Sequence, residues 1–184
     1  MEAFWISTGI VALAEIGDKT QLLALVLAAK YRKPVPIILG IFVATLLNHA
    51  VAGYFGAWLA ATIGEQMLKW ILGVSFIAMA GWMLIPDKLD DEEEKPARFG
   101  VFLTTLIAFF IVEIGDKTQV ATVFLAAKYA DVIAVVAGTT VGMMVANVPA
   151  VLLGEVAAKK LPMRLVHSVV AMVFLVLGLV ILLN

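Results

Sequence analysis

The chain has 184 residues, of which 63% are hydrophobic and 15% charged, and a mean hydropathy of +1.05. Soluble domains hold about 45–50% apolar and about 25% charged residues, so an ordinary soluble globule is excluded. The formal net charge of −1 is uninformative about nucleic acid and no basic cluster argues for such a partner, so none is expected, and the lack of cysteine excludes disulfides, thiolate metal sites and thiol catalysis.

Six apolar stretches follow in chain order, at 3–29, 35–61, 67–86, 99–127, 132–157 and 165–183. A helix crosses the hydrocarbon with about 20 residues at about 1.5 Å rise each. Several stretches exceed that length, so tilted, kinked or broken helices are expected. The fold class is therefore an all-α integral membrane protein with six transmembrane helices. The first stretch lacks a basic leader and a small-residue cleavage site before its polar motif, and it reads as a retained span.

That motif is "EIGDKTQ", Glu15 to Gln21, set within the first apolar stretch. On a straight helix Glu15 and Asp18 lie about 60° apart on one face, Gln21 extends the arc, and Lys19 lies beside Glu15. Thr20 then falls on the far side. Gly17 permits close helix approach or local unwinding. "GDKT" is not a phosphate loop, because Asp18 stands where that motif needs glycine before lysine.

The second stretch carries Asn48 and His49. The connector 87–98 contains the run "DDEEE" and reads as a solvated tether, which could also gather cations. The fourth stretch then repeats the heptad letter for letter as Glu113, Gly115, Asp116, Lys117, Thr118 and Gln119 around Ile114. In the fifth, Asn147 aligns with His49, and Pro149 is expected to kink the span. His167 lies near a span end without a clear task. Trp5, Trp58, Trp70, Trp82, Tyr31 and Tyr129 lie near span ends, as interfacial anchors do.

The repeat extends beyond the heptad. At the same offset of 98 residues, "LAAKY" at 27–31 recurs at 125–129, Gly40 matches Gly138, Gly56 matches Gly154 and Phe76 matches Phe174. Each half, 1–86 and 99–184, is thus one unit of three spans. Three is odd, so the second unit enters the membrane from the opposite side, giving an inverted repeat. Lys30, Arg32, Lys33, Lys88, Lys95, Arg98, Lys159, Lys160 and Arg164 fall on one side, and Lys69 and Lys128 on the other. By the positive-inside rule the first side, with the linker, is cytoplasmic and both termini are outside.

An ionised group near the bilayer centre costs roughly 2.5–3.5 kcal/mol. Glu15, Asp18, Lys19, Glu113, Asp116 and Lys117 must therefore face inward, where antiparallel motif helices bring four carboxylates and the amides of Gln21 and Gln119 to one depth. Such an oxygen-rich set suits a hard divalent cation, whether calcium, manganese or magnesium. Lys19, Lys117, Thr20, Thr118, Asn48, His49 and Asn147 are accessory candidates for completing the site or relaying protons. Four carboxylates and two lysines sum to −2, a charge neutralised by one divalent ion or by two protons. Two structural alternatives compete: Glu–Lys pairs that only hold helices together, and a membrane subunit without transport. An intramembrane acid/base enzyme is a further rival, but it needs two distinct roles, which two identical motifs fit poorly.

Two E-x-G-D-K-[TS] motifs, in two three-span halves joined by an acidic loop, resemble the GDT-like, Golgi-type manganese/calcium:proton exchangers and their bacterial manganese-exporting branch. The resemblance covers nearly the whole chain. It implies divalent cation/proton antiport with Glu15, Asp18, Glu113 and Asp116 as ligands, no cofactor and no enzymatic activity. It also implies a bacterial plasma-membrane location and manganese as cargo, with calcium the nearest rival. The expected partners are the ion, protons, the bilayer and, in a homo-oligomer, a second copy of the chain.

Overall fold

A computed structural model of the chain describes residues 1–85, 100–153 and 163–183. The linker 87–98, with Lys88, Lys95 and Arg98, lies outside the described residues, as do Gly154, Lys159, Lys160, Asn184 and the side chains of Arg164 and His167.

The regular structure among the described residues is all helical, with no strand. Eight helices follow in order: α1 Glu2–Glu15, α2 Lys19–Tyr31, α3 Pro34–Thr62, α4 Glu65–Met83, α5 Val101–Glu113, α6 Lys117–Tyr129, α7 Val132–Leu153 and α8 Met163–Leu183. Three of them, α3, α4 and α7, are long and apolar enough to cross a membrane singly. The predicted spans 3–29 and 99–127 are each two helices instead. Their breaks fall inside the heptads, where Gly17 and Gly115 take φ 80° and 77°. Positive φ is open to glycine and strained for other residues, so the motif's glycine sets the break. The α7 helix runs through Pro149 to Leu153, although proline cannot donate the N–H that the Val145 carbonyl would accept.

Glycines let the helices approach. Gly40 of α3 lies on α5, where an added Cβ would stand 2.9 Å from the Phe102 carbonyl oxygen. Gly138 of α7 lies closer still on the Phe4 carbonyl of α1. Both the glycines and the phenylalanines are 98 residues apart, so the contact is made twice, reciprocally. Gly56 of α3 meets the Val123 carbonyl of α6 in the same manner.

The apolar core has two parts. One joins Ile10 and Ala14 of α1 to Phe76 and Met79 of α4, Leu125 of α6 and Phe174 of α8. The other joins Leu23 and Leu27 of α2 to Ile37 and Ile41 of α3, Phe109 of α5 and Val151 of α7. Phe76 and Phe174, the pair aligned by the repeat, stack on each other with centroids 5.8 Å apart. Outward faces are apolar as well: Leu39, Phe42, Leu46, Val51, Tyr54, Phe55 and Trp58 of α3 are exposed. A helix apolar all round belongs in lipid or in a large core, and a chain this small has no such core. This is a membrane protein.

Candidate functional site

The site forms where the two broken stretches meet. Glu15 ends α1, Ile16 and Gly17 leave the helix, and Asp18 in extended conformation precedes α2. The second copy behaves alike, with Glu113 ending α5 and Asp116 preceding α6. Each break leaves the last carbonyls of one helix and the first N–H groups of the next without intrahelical partners.

The straight-helix geometry is thereby corrected. Glu15 and Asp18 belong to different helices, and the N–H of Asp18 bonds to the Glu15 carbonyl at 3.1 Å. Lys19 Nζ pairs with Asp116 Oδ1 of the other half at 3.3 Å. Thr20 and Thr118 are buried and not on a far side. Asp116 shows why threonine follows at that spacing. Its Oδ2 accepts from the Thr118 backbone N–H at 3.2 Å and from the Thr118 hydroxyl at 3.0 Å, capping α6.

All four motif carboxylates are buried. One oxygen each of Glu15, Asp18 and Asp116 lies within 4.8 Å of the others. The cluster draws on both halves of the chain. Glu113, also fully buried, faces His49 with its Oε2 3.7 Å from Nε2. Asn147, at the position equivalent to His49, donates from Nδ2 to Glu15 Oε1 at 3.0 Å and to the Met143 carbonyl at 3.1 Å. Asn48 ties α3 to α5 by donating to the Phe110 carbonyl at 3.2 Å.

The glutamines brace the breaks. Gln21 Oε1 accepts from the Gly17 N–H at 2.9 Å, and its Nε2 donates to the Ala146 carbonyl at 3.1 Å. Gln119 Oε1 accepts from the Gly115 N–H at 2.7 Å. The lysines differ: Lys19 is 24% exposed in the cluster, whereas Lys117 is buried at 3% with Nζ donating to the Ile85 carbonyl at 2.8 Å. Sequence reasoning missed the capping role of Asp116. The signal was present, since Asp116 followed three residues later by Gln119, just before an apolar run, marks a helix start.

Three buried carboxylates around one space could hold a metal ion. Glu15, Asp18, Asp116 and the adjoining Lys19 sum formally to −2.

The chain matches the family described as "Divalent cation/proton antiporter GDT1" over residues 3–91 and 101–184. It is 56% identical over 180 residues to a Vibrio cholerae protein described as "Putative manganese exporter", with 97% of this chain and 90% of that protein covered. A GDT1-like protein of Synechocystis is 25% identical over 193 residues, covering 95% of this chain and 93% of the relative. GDT1-like protein 3 of Arabidopsis thaliana is 25% identical over 201 residues, covering 95% and 68%. No solved structure matches the chain.

Proposed function

The chain belongs to the divalent cation/proton antiporter GDT1 family, and we propose that it exports manganese(II) across the bacterial plasma membrane in exchange for protons. The observation that carries this reading is the cluster of Glu15, Asp18 and Asp116, buried and drawn from two helix breaks in different halves. Charge in such a dry place is costly unless it is neutralised. One divalent ion or two protons neutralise a formal charge of −2 equally well, so each displaces the other. The name of the Vibrio cholerae relative favours manganese as the ion.

Units 1–86 and 99–184 act as inverted three-span repeats, with 87–98 as a cytoplasmic tether and both termini outside. The reciprocal Gly40–Phe102 and Gly138–Phe4 contacts and the Phe76–Phe174 stack support this arrangement. Each broken stretch counts as one span, α1 with α2 and α5 with α6. Glu15, Asp18 and Asp116 are the first ligands and Glu113 the fourth carboxylate. Gln21 and Gln119 hold the breaks in shape by accepting from Gly17 and Gly115, and the second lone pair of each oxygen is open to the ion.

The test is ion flux in proteoliposomes across manganese, calcium, magnesium and zinc, with internal pH recorded. Manganese movement should be matched by opposite proton movement. Glu15→Gln, Asp18→Asn, Glu113→Gln and Asp116→Asn should each remove most flux from a folded protein, since ligand charge sets affinity. Near-normal flux from any two would overturn the four-carboxylate site.

A further inference from the structure

The heptads are identical, yet their glutamates meet different partners. Asn147 and His49 occupy equivalent positions, 98 residues apart. Asn147 satisfies Glu15 with a 3.0 Å hydrogen bond. His49 does not satisfy Glu113 in the same way. Its Nε2 stands 3.7 Å from Oε2, beyond the roughly 2.7–3.2 Å of an N–H···O bond. Both imidazole nitrogens and both Glu113 oxygens are buried and lack a hydrogen-bond partner among the described residues. Buried polar atoms are rarely left bare without cause.

The gap has the size of an ion. Two donor atoms, each about 2.0–2.4 Å from one metal and separated as these are, subtend roughly 100–135° there, within ordinary coordination geometry. We propose that His49 Nε2 and Glu113 form a mixed nitrogen–oxygen subsite beside the three-carboxylate cluster, and that this nitrogen makes the protein prefer manganese to calcium. Calcium and magnesium fill their shells with oxygen. Imidazole binds first-row transition ions, and manganese binds such donors most weakly of the series. Weak ligation suits a cargo that must leave again. The equivalent position in the other half, Asn147, offers Glu15 a donor hydrogen and no comparable nitrogen lone pair. The subsite thus sits on one side of the cluster.

The inference deepens the manganese-export reading and rests on it. The chain has two histidines, His49 and His167, so a His167→Gln background leaves one. Full-length protein in nanodiscs, made with ordinary or 15N-labelled histidine, is loaded with manganese(II) and examined by pulsed electron paramagnetic resonance. The expected result is a nitrogen hyperfine coupling that changes with the isotope. Competition titrations should also show that His49→Asn lowers the manganese-to-calcium affinity ratio by about 10–100-fold. Bound manganese without nitrogen coupling would overturn the subsite, as would an unchanged ratio in His49→Asn. The isotope comparison does not require the His49 variant to fold. Export fails on separate grounds, through the absence of manganese flux in proteoliposomes, and that absence would leave a positive nitrogen coupling intact.

Discussion

At the scale of single residues, the heptad divides its tasks between backbone and side chain. Glycine makes the break, aspartate starts the next helix, and glutamate closes the previous one. Gly115 takes φ 77° with nothing within 4 Å of an added Cβ, so Gly115→Ala tests backbone strain without a clash. It should destabilise the protein by about 1–2 kcal/mol and misplace Asp116, read as a lower unfolding temperature and reduced flux. Lys19 tests the charge count. Lys19→Gln leaves Glu15, Asp18 and Asp116 with a formal −3. Manganese should then bind more tightly and turn over more slowly, as calorimetry and flux would record. Weaker binding would show that Lys19 orders Asp116 more than it offsets charge. The acids were legible from sequence because charge inside an apolar run is too costly to be idle. Their mutual geometry was not, because helical angles were carried through a point where Gly17 ends the helix. Nor could spacing within a motif reveal that Lys19 reaches across to Asp116.

At the scale of helices, apolar length announced the breaks before their geometry could be known. The stretches at 3–29 and 99–127 are longer than one crossing needs, and each resolves into two half-helices of 13 or 14 residues. The repeat also aligned positions with equivalent places in the fold: Gly40 and Gly138 each admit a neighbouring helix, and Phe76 and Phe174 stack on each other. Sequence could not say which helix each glycine admits, because that depends on how the halves interlock. The interlock predicts a sharp contrast. Gly138→Ala pushes a methyl group into the Phe4 carbonyl and should cost about 1–3 kcal/mol as overpacking. Gly9, also helical, has nothing within 4 Å of an added Cβ, and Gly9→Ala should be neutral or stabilising by up to about 1 kcal/mol. Thermal unfolding in detergent compares the two. Equal effects would mean that α1 and α7 do not approach closely in the membrane.

At the scale of the whole molecule, orientation and coupling follow from charge. Lys30, Arg32 and Lys33 lie at the α2–α3 connection, which the positive-inside rule assigns to the cytoplasm. A membrane-impermeant amine reagent should then label Lys33 only from that side and a tag at Met1 should be reached only from outside. Both reached from the same side would end the assignment. The coupling prediction uses the site charge. Glu15, Asp18, Asp116 and Lys19 form a −2 centre in the same burial that makes uncompensated charge costly. A carrier that reorients only when this centre is neutral moves with one divalent ion or with two protons. Lowering the pH fills the carboxylates with protons, so manganese affinity should fall as the solution is made acid, and acid outside should drive manganese outward. One ion against two protons transfers no net charge, and flux under a proton gradient should therefore hardly change when membrane potential is clamped at different values. Flux that changes steeply with potential would mean a stoichiometry other than two protons per ion, three if Glu113 joins the charge that reorients and one if Lys117 does. Manganese binding that does not change as the pH is lowered would remove protons from the cycle and leave a channel or uniporter.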